Sequence, residues 1–256
     1  MTQQNATFGI EIEFKTDRRS AEIAAALNDA GIRTVAEHYN HQSRDHWKVV
    51  TDASVSGGLE LVSPILPYGE EAFAQIETVS RVLIRLGVRV DRQCGLHVHH
   101  GAEGMTDTQI AKTVAIYAKF ETAIDRMMPT SRRGRGNIYC NTLNIRGTWK
   151  DSVAAINACR TRDELLALLP SRYVKVNVQS LLRHGTIEFR HHSGTVEATK
   201  IVSWVKMTRA ILERGTKTTR VFIREDKPDV ARFRGIIGKE LSGYFRSRAR
   251  HLAAAA

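Results

Sequence analysis

The stretch FGIEIEF, from Phe8 to Phe14, alternates apolar and acidic residues with a period of two. In an extended strand, residues i and i+2 point to the same face. Ile10, Ile12 and Phe14 then fill one face while Glu11 and Glu13 crowd the other. Like charges side by side on a strand cost up to about 1 kcal/mol. Such a strand needs a sheet to bury its apolar side and raises the question of what neutralises its acidic one.

The pattern recurs. In GLHVHHG, His97 and His99 share one face and Leu96 and Val98 the other; in GTIEFRHH, Glu188 and Arg190 oppose Ile187 and Phe189; in GGLELVSP, Glu60 opposes Leu59 and Leu61. Further strands are expected in HWKVVTDASV, IYCNTLNI and RYVKVNVQSL. Helices are expected in SAEIAAALNDAGI, capped by Ser20, and in YGEEAFAQIETVSRVLIRLGV, whose apolar residues recur at helical spacing. The others are TDTQIAKTVAIYAKFETAIDRMM, TRDELLALL capped by Thr161, and VEATKIVSWVKMTRAILERG. Strands and helices mix without a regular βαβ rhythm. The expected class is α+β, a largely antiparallel sheet with helices packed on one face.

The opposite face is chemically odd. The chain carries a net charge of +11, so a merely solvated face should be rich in Lys, Arg and Thr. It shows Glu11, Glu13, Glu60, His97, His99 and Glu188, with Arg190 alongside. Carboxylates brought together repel unless protonated or joined by a cation. Oxygen donors with a minority of imidazole suit Mg²⁺ or Mn²⁺. For any one strand alone, a wet antiparallel face explains the charge equally well.

The totals set the outer bounds. A chain of 256 residues makes one large domain or two small ones. It has no apolar run of about 18 residues, the mark of a membrane span. Its start, MTQQNATFG, lacks a signal-peptide core. Three cysteines without a CxxC pair point to a reducing, cytoplasmic setting. From Lys206 onward there are thirteen Lys/Arg against five Asp/Glu. That balance attracts polyanions, nucleic acid among them, or simply makes a solvated basic surface.

Taken in order, FGIEIEF, LELVSPI, GLHVH and GTIEFRHHSGT resemble the amidoligase family, which is related to glutamine synthetase and glutamate–cysteine ligase. The resemblance runs from about Phe8 to about Trp204, and WKVVTDAS and RYVKVNVQSL add to it. It implies an ATP-dependent carboxylate–amine ligase on an antiparallel sheet curled into a half-barrel. It also implies that Glu11, Glu13, Glu60, His97 and Glu188 bind divalent ions, Mg²⁺ or Mn²⁺. His99 matches a residue near the nucleotide phosphates, and Arg190 one that contacts phosphate or the reacting carboxylate. With Glu188, these two form the expected catalytic set. The basic loop after Pro129 offers Arg132, Arg133 and Arg135 to the nucleotide, outside any motif. Asp52, Asn177 and His191 are candidates for the substrate site.

The implied chemistry activates a carboxylate by γ-phosphoryl transfer from ATP, after which an amine displaces phosphate. It needs no enzyme nucleophile. Residues 1–215 form the expected catalytic domain and 216–256 a basic, helical extension; the assembly expected is a monomer or small oligomer. Two other readings stay open. One is a metal-dependent hydrolase on the same residues, and the other a non-enzymatic nucleic-acid-binding protein using its Arg-rich C-terminal region.

Overall fold

The computed structural model describes residues 6–52, 55, 57–134, 136–223 and 230–254. The chain divides into two compact units, residues 1–101 with 192–205 and residues 102–191 with 206–256.

The first unit is built on an open sheet. Its strands are β1 (Thr7–Lys15), β2 (Thr34–Ala36), β3 (Trp47–Asp52), β4 (Gly58–Val62), β5 (Leu66–Pro67) and β6 (Gly95–Gly101). The spatial order is β2-β3-β4-β1-β6, with β5 paired to the start of β1. The β3–β4, β4–β1 and β1–β6 pairings are antiparallel; β2 and β3 run parallel. The class is α+β with a largely antiparallel sheet, and the β2–β3 pairing is its parallel element.

Alternation decides which side of this sheet is buried. Phe8, Ile10, Ile12 and Phe14 of β1, Leu61 of β4, and Leu96 and Val98 of β6 are buried. Helix α1 (Ser20–Asp29) packs on β2 and β3, and α2 (Glu70–Arg85) on α1 and β5. Phe73, Ile76, Val79, Val82 and Leu83 form the buried stripe of α2, and the Phe73 ring lies 6.2 Å from that of Phe8. Each such side chain contributes roughly 1.5–3 kcal/mol on burial. The first helix begins one residue earlier than Ser20 suggests. Arg19 is its N-cap and receives the Glu22 side chain on its backbone N–H at 2.7 Å.

Helices dominate the second unit. Its elements are α3 (Asp107–Asp125), α4 (Trp149–Ala158), α5 (Arg162–Leu168), β7 (Val176–Asn177), α6 (Ser180–His184) and most of β8 (Thr186–Ser193). It also holds the end of α7 (Ala198–Lys217) and all of α8 (Val230–Ala254), which is interrupted at Gly238, where φ is 80°. Helix α3 is buried on nearly every side, with α4, α5 and α8 packed against it. Thr106 and Gln109 close a capping box at its start, and Thr161 and Glu164 do the same for α5.

Two expected strands differ. IYCNTLNI forms turns, with only an isolated bridge between Asn141 and Val174. Backbone bonds from Asn141 to Tyr173 (2.8 Å) and from Lys175 to Asn141 (2.9 Å) tie only that one residue to a distant segment. RYVKVNVQSL is a strand only at Val176–Asn177, because Ser180 opens α6 and its Oγ bonds the Thr186 carbonyl at 2.6 Å.

Candidate active site

In the first unit, strand register brings the acids and imidazoles of the polar face together. Strand β1 lies between β4 and β6, so its face neighbours come from both sides. Glu13 stands opposite Glu60 on β4, while Glu11 stands opposite His97 and Gly9 opposite His99 on β6. Directly opposed residues share a face about 4.5–5.5 Å apart at Cβ.

The side chains close in accordingly. His97 Nδ1 lies 3.0 Å from Glu11 Oε2, and its Nε2 lies 3.4 Å from Glu13 Oε1. His99 Nε2 is 3.4 Å from Glu11 Oε1. The other Glu13 oxygen accepts the Gly95 backbone N–H at 2.6 Å. Glu13 and His97 are 5% and 4% exposed, which leaves little water to screen the opposed charges. One ligand atom each from Glu13, Glu60 and His97 all lie within 4.8 Å of one another. Two carboxylates and an imidazole at that spacing fit a divalent cation that prefers oxygen and accepts nitrogen, such as Mg²⁺ or Mn²⁺. Burial works against ionisation of Glu11, yet the His99 and His97 imidazoles outweigh it and hold its carboxyl well below the usual range.

Asp52 ends β3 opposite Gly58, half-buried at the far end of the sheet's register. Near the start of the same strand, Lys48 is buried with its Nζ on the Asn40 carbonyl and side chain and the Gln42 carbonyl. The loop those groups belong to is organised by Glu37, which the Arg44 guanidinium, with His46 and Asn40, holds down to about 2.

The second unit carries another constellation. On β8, Glu188 and Arg190 point the same way, and Arg190 Nη1 donates to Glu188 Oε1. Asn177, opposite Glu188 on β7, donates from Nδ2 to Glu188 Oε2 at 2.6 Å. Arg132 is buried at the end of a 3₁₀ turn over Thr130–Arg132. Arg133 donates from Nε to the Met128 carbonyl at 2.7 Å. Arg135 lies outside the described residues.

His191 faces inward from β8 into a network that sequence reading missed. Its Nδ1 receives the Tyr117 hydroxyl at 2.7 Å and its Nε2 meets Asp125 Oδ1 at 2.9 Å. Asp125 Oδ1 also accepts Lys175 Nζ at 2.6 Å, and Glu121 Oε1 accepts it at 2.7 Å. The signal was present as Glu121 and Asp125, i and i+4 on α3, but nothing local tied that helix face to Lys175.

Burial and the nearby Lys175 ammonium push His191 down to about 4. In the unfolded chain a histidine titrates near 6.5. A depressed value means the neutral ring stabilises the fold fully above pH 6.5, and this contribution is lost as pH falls from about 6.5 to 4. The stability of the wild type should therefore gain an extra slope of up to about 1.4 kcal/mol per pH unit in that window. Urea unfolding of His191→Gln at pH 4, 5, 6 and 7 should show that slope removed; parallel curves for the two proteins would refute the assignment.

Against known families, the family model described as "Putative amidoligase enzyme" matches residues 4–212. The chain belongs to this amidoligase family, a family of ligase enzymes. No curated protein matches. Among solved structures, one titled "GmaS/ADP complex-Conformation 1" is 12% identical; the match covers 98% of this chain and 69% of that chain, with a TM-score of 0.48. No helix among the described residues is long and apolar enough to cross a membrane.

Proposed function

We propose that this amidoligase joins a carboxylate to an amine in an ATP-dependent reaction that passes through an acyl phosphate. The observation that supports it most is the set of Glu13, Glu60 and His97, buried except for the half-buried Glu60, with ligand atoms within 4.8 Å, in a chain of amidoligase ancestry. In the first step a substrate carboxylate oxygen attacks the γ-phosphorus and ADP leaves. In the second, the amine attacks the acyl carbon, phosphate leaves with the C–O bond electrons, and the amine loses one proton. The products are an amide, ADP and phosphate.

Glu13, Glu60 and His97 are the residues that hold the divalent cation, with Glu11 beside them and Glu188 assigned from the sequence pattern. When bound, that cation neutralises phosphate charge. His99 and Arg190 are the groups offered to phosphate or to the reacting carboxylate. Both substrates are anionic, and the protein's charge favours their approach. The second unit has 27 Lys/Arg against 13 Asp/Glu, so it holds more than the whole net positive charge. The three cysteines are free and buried, which suits the cytoplasm.

Hydroxylamine serves as a generic amine. With ATP, Mg²⁺ and a panel of carboxylates, the protein should release ADP and form a hydroxamate only when metal, ATP and carboxylate are all present. Cleavage of an amide without nucleotide would replace this reading with a hydrolase.

A further inference from the structure

The Asn177 side chain is buried and bonded at both its amide nitrogen and its oxygen. Its Nδ2 donates to Glu188 Oε2 at 2.6 Å, and its Oδ1 accepts the Gln179 backbone N–H at 2.8 Å. Asn177 and Glu188 are each 4% exposed and stand directly opposite on β7 and β8. The turn that carries Asn177 is itself fastened. Gln179 Nε2 donates to the Leu166 and Leu169 carbonyls at the end of α5, at 3.1 and 2.9 Å. Ser180 Oγ bonds the Thr186 carbonyl at the start of β8. Helix α5, the turn and β8 thus fix the place from which Asn177 reaches Glu188.

We propose that Asn177 is a positioning residue for Glu188, working with Gln179, and is not a contact for substrate. The carboxylate is gripped at both oxygens, Oε1 by Arg190 and Oε2 by Asn177. An amide N–H can only donate there, so it favours the ionised carboxylate and fixes its plane. Each oxygen keeps a second lone pair, so a gripped carboxylate can still bind a cation. Outer partners of this kind typically change metal affinity or activity by about 10–100-fold when removed. The inference rests on the reading of Glu188 as a metal ligand.

The test is a Mn²⁺ titration, followed by electron paramagnetic resonance, of the full chain and of Asn177→Asp, Asn177→Ala, Glu188→Gln and the double variant Asn177→Ala/Glu188→Gln. Asn177→Asp keeps an acceptor for the Gln179 N–H and replaces only the donor, so it preserves the turn if Asn177→Ala loosens it. Far-ultraviolet circular dichroism verifies folding. Wild type should bind Mn²⁺ about 10–100-fold more tightly than either Asn177 variant, and the double variant no more weakly than Glu188→Gln alone. Wild-type affinity in Asn177→Asp, or losses that multiply in the double variant, would overturn the positioning role while leaving Glu188 a ligand. Equal affinity in wild type and Glu188→Gln would instead remove Glu188 as a ligand, and the inference with it.

Discussion

Glu13→Gln should lower hydroxamate formation by at least about 10²–10³-fold and at the same time leave the metal-free protein no less stable than the wild type. The two effects have one cause. Glutamine keeps the shape of glutamate and an oxygen for the Gly95 N–H, which Glu13 Oε2 accepts at 2.6 Å. What it loses is the charge set directly opposite Glu60. Without a cation that opposition is unfavourable by up to about 1 kcal/mol, so the variant relieves it. With a cation the order reverses. A ligand that binds only the folded state stabilises by RT ln(1 + [L]/Kd), about 2.7 kcal/mol at a hundredfold excess over Kd. Thermal unfolding in EDTA and in Mg²⁺ reads both terms. The wild type should gain on adding Mg²⁺, and Glu13→Gln should gain little. A variant that stays active, or that gains as much from Mg²⁺ as the wild type, would show that Glu13 holds no ion.

The faces of the strands were legible because a period of two is a local property. Alternation alone separates Ile10, Ile12 and Phe14 from Glu11 and Glu13, and β1 buries its apolar side accordingly. Register was not legible. Nothing near Glu13 says that Glu60, and not Val62, stands opposite; β4 sets this by where it leaves its turn at Gly58. The same limit explains the misread strands. IYCNTLNI has strand-like residues, but its backbone partners are Tyr173 and Lys175, some thirty positions away. Helix α4 went unread because only Val153 and Ile156 mark its apolar side, although Thr148 caps it through the Asp151 N–H at 3.1 Å. In RYVKVNVQSL, Lys175 alternates with Val174 and Val176, and a period of two puts it on the polar side with Asn177 and Gln179. It is fully buried instead, because two carboxylates 54 and 50 residues earlier wait for it on α3.

That lysine carries the largest expected effect on stability. Burial works against its charge, but Glu121 and Asp125 outweigh the penalty and raise the ammonium above the usual lysine range. Burial likewise opposes ionisation of Asp125, and the bonds from His191 and Lys175 hold its carboxyl below the usual range. Lys175→Met keeps the length and the apolar stem while deleting the ammonium. Glu121 and Asp125 then face each other from i and i+4 without a cation between them. Breaking a buried pair in this way costs about 3–5 kcal/mol, because the abandoned charges stay desolvated. Glu121 also accepts the Leu143 N–H at 2.8 Å, and Gly134 N–H reaches Asp125 at 3.4 Å, so the loop between α3 and α4 should loosen first. Hydrogen exchange should show Gly134 and Leu143 losing protection before the core of α3. The deficit should shrink in acid, where the two carboxylates gain protons and no longer need a partner. Adding Glu121→Gln and Asp125→Asn to Lys175→Met should recover part of the loss at pH 7. A single Lys175→Met that unfolds at the wild-type urea midpoint would mean that the ammonium is dispensable and that hydrophobic packing alone holds α3 to β7.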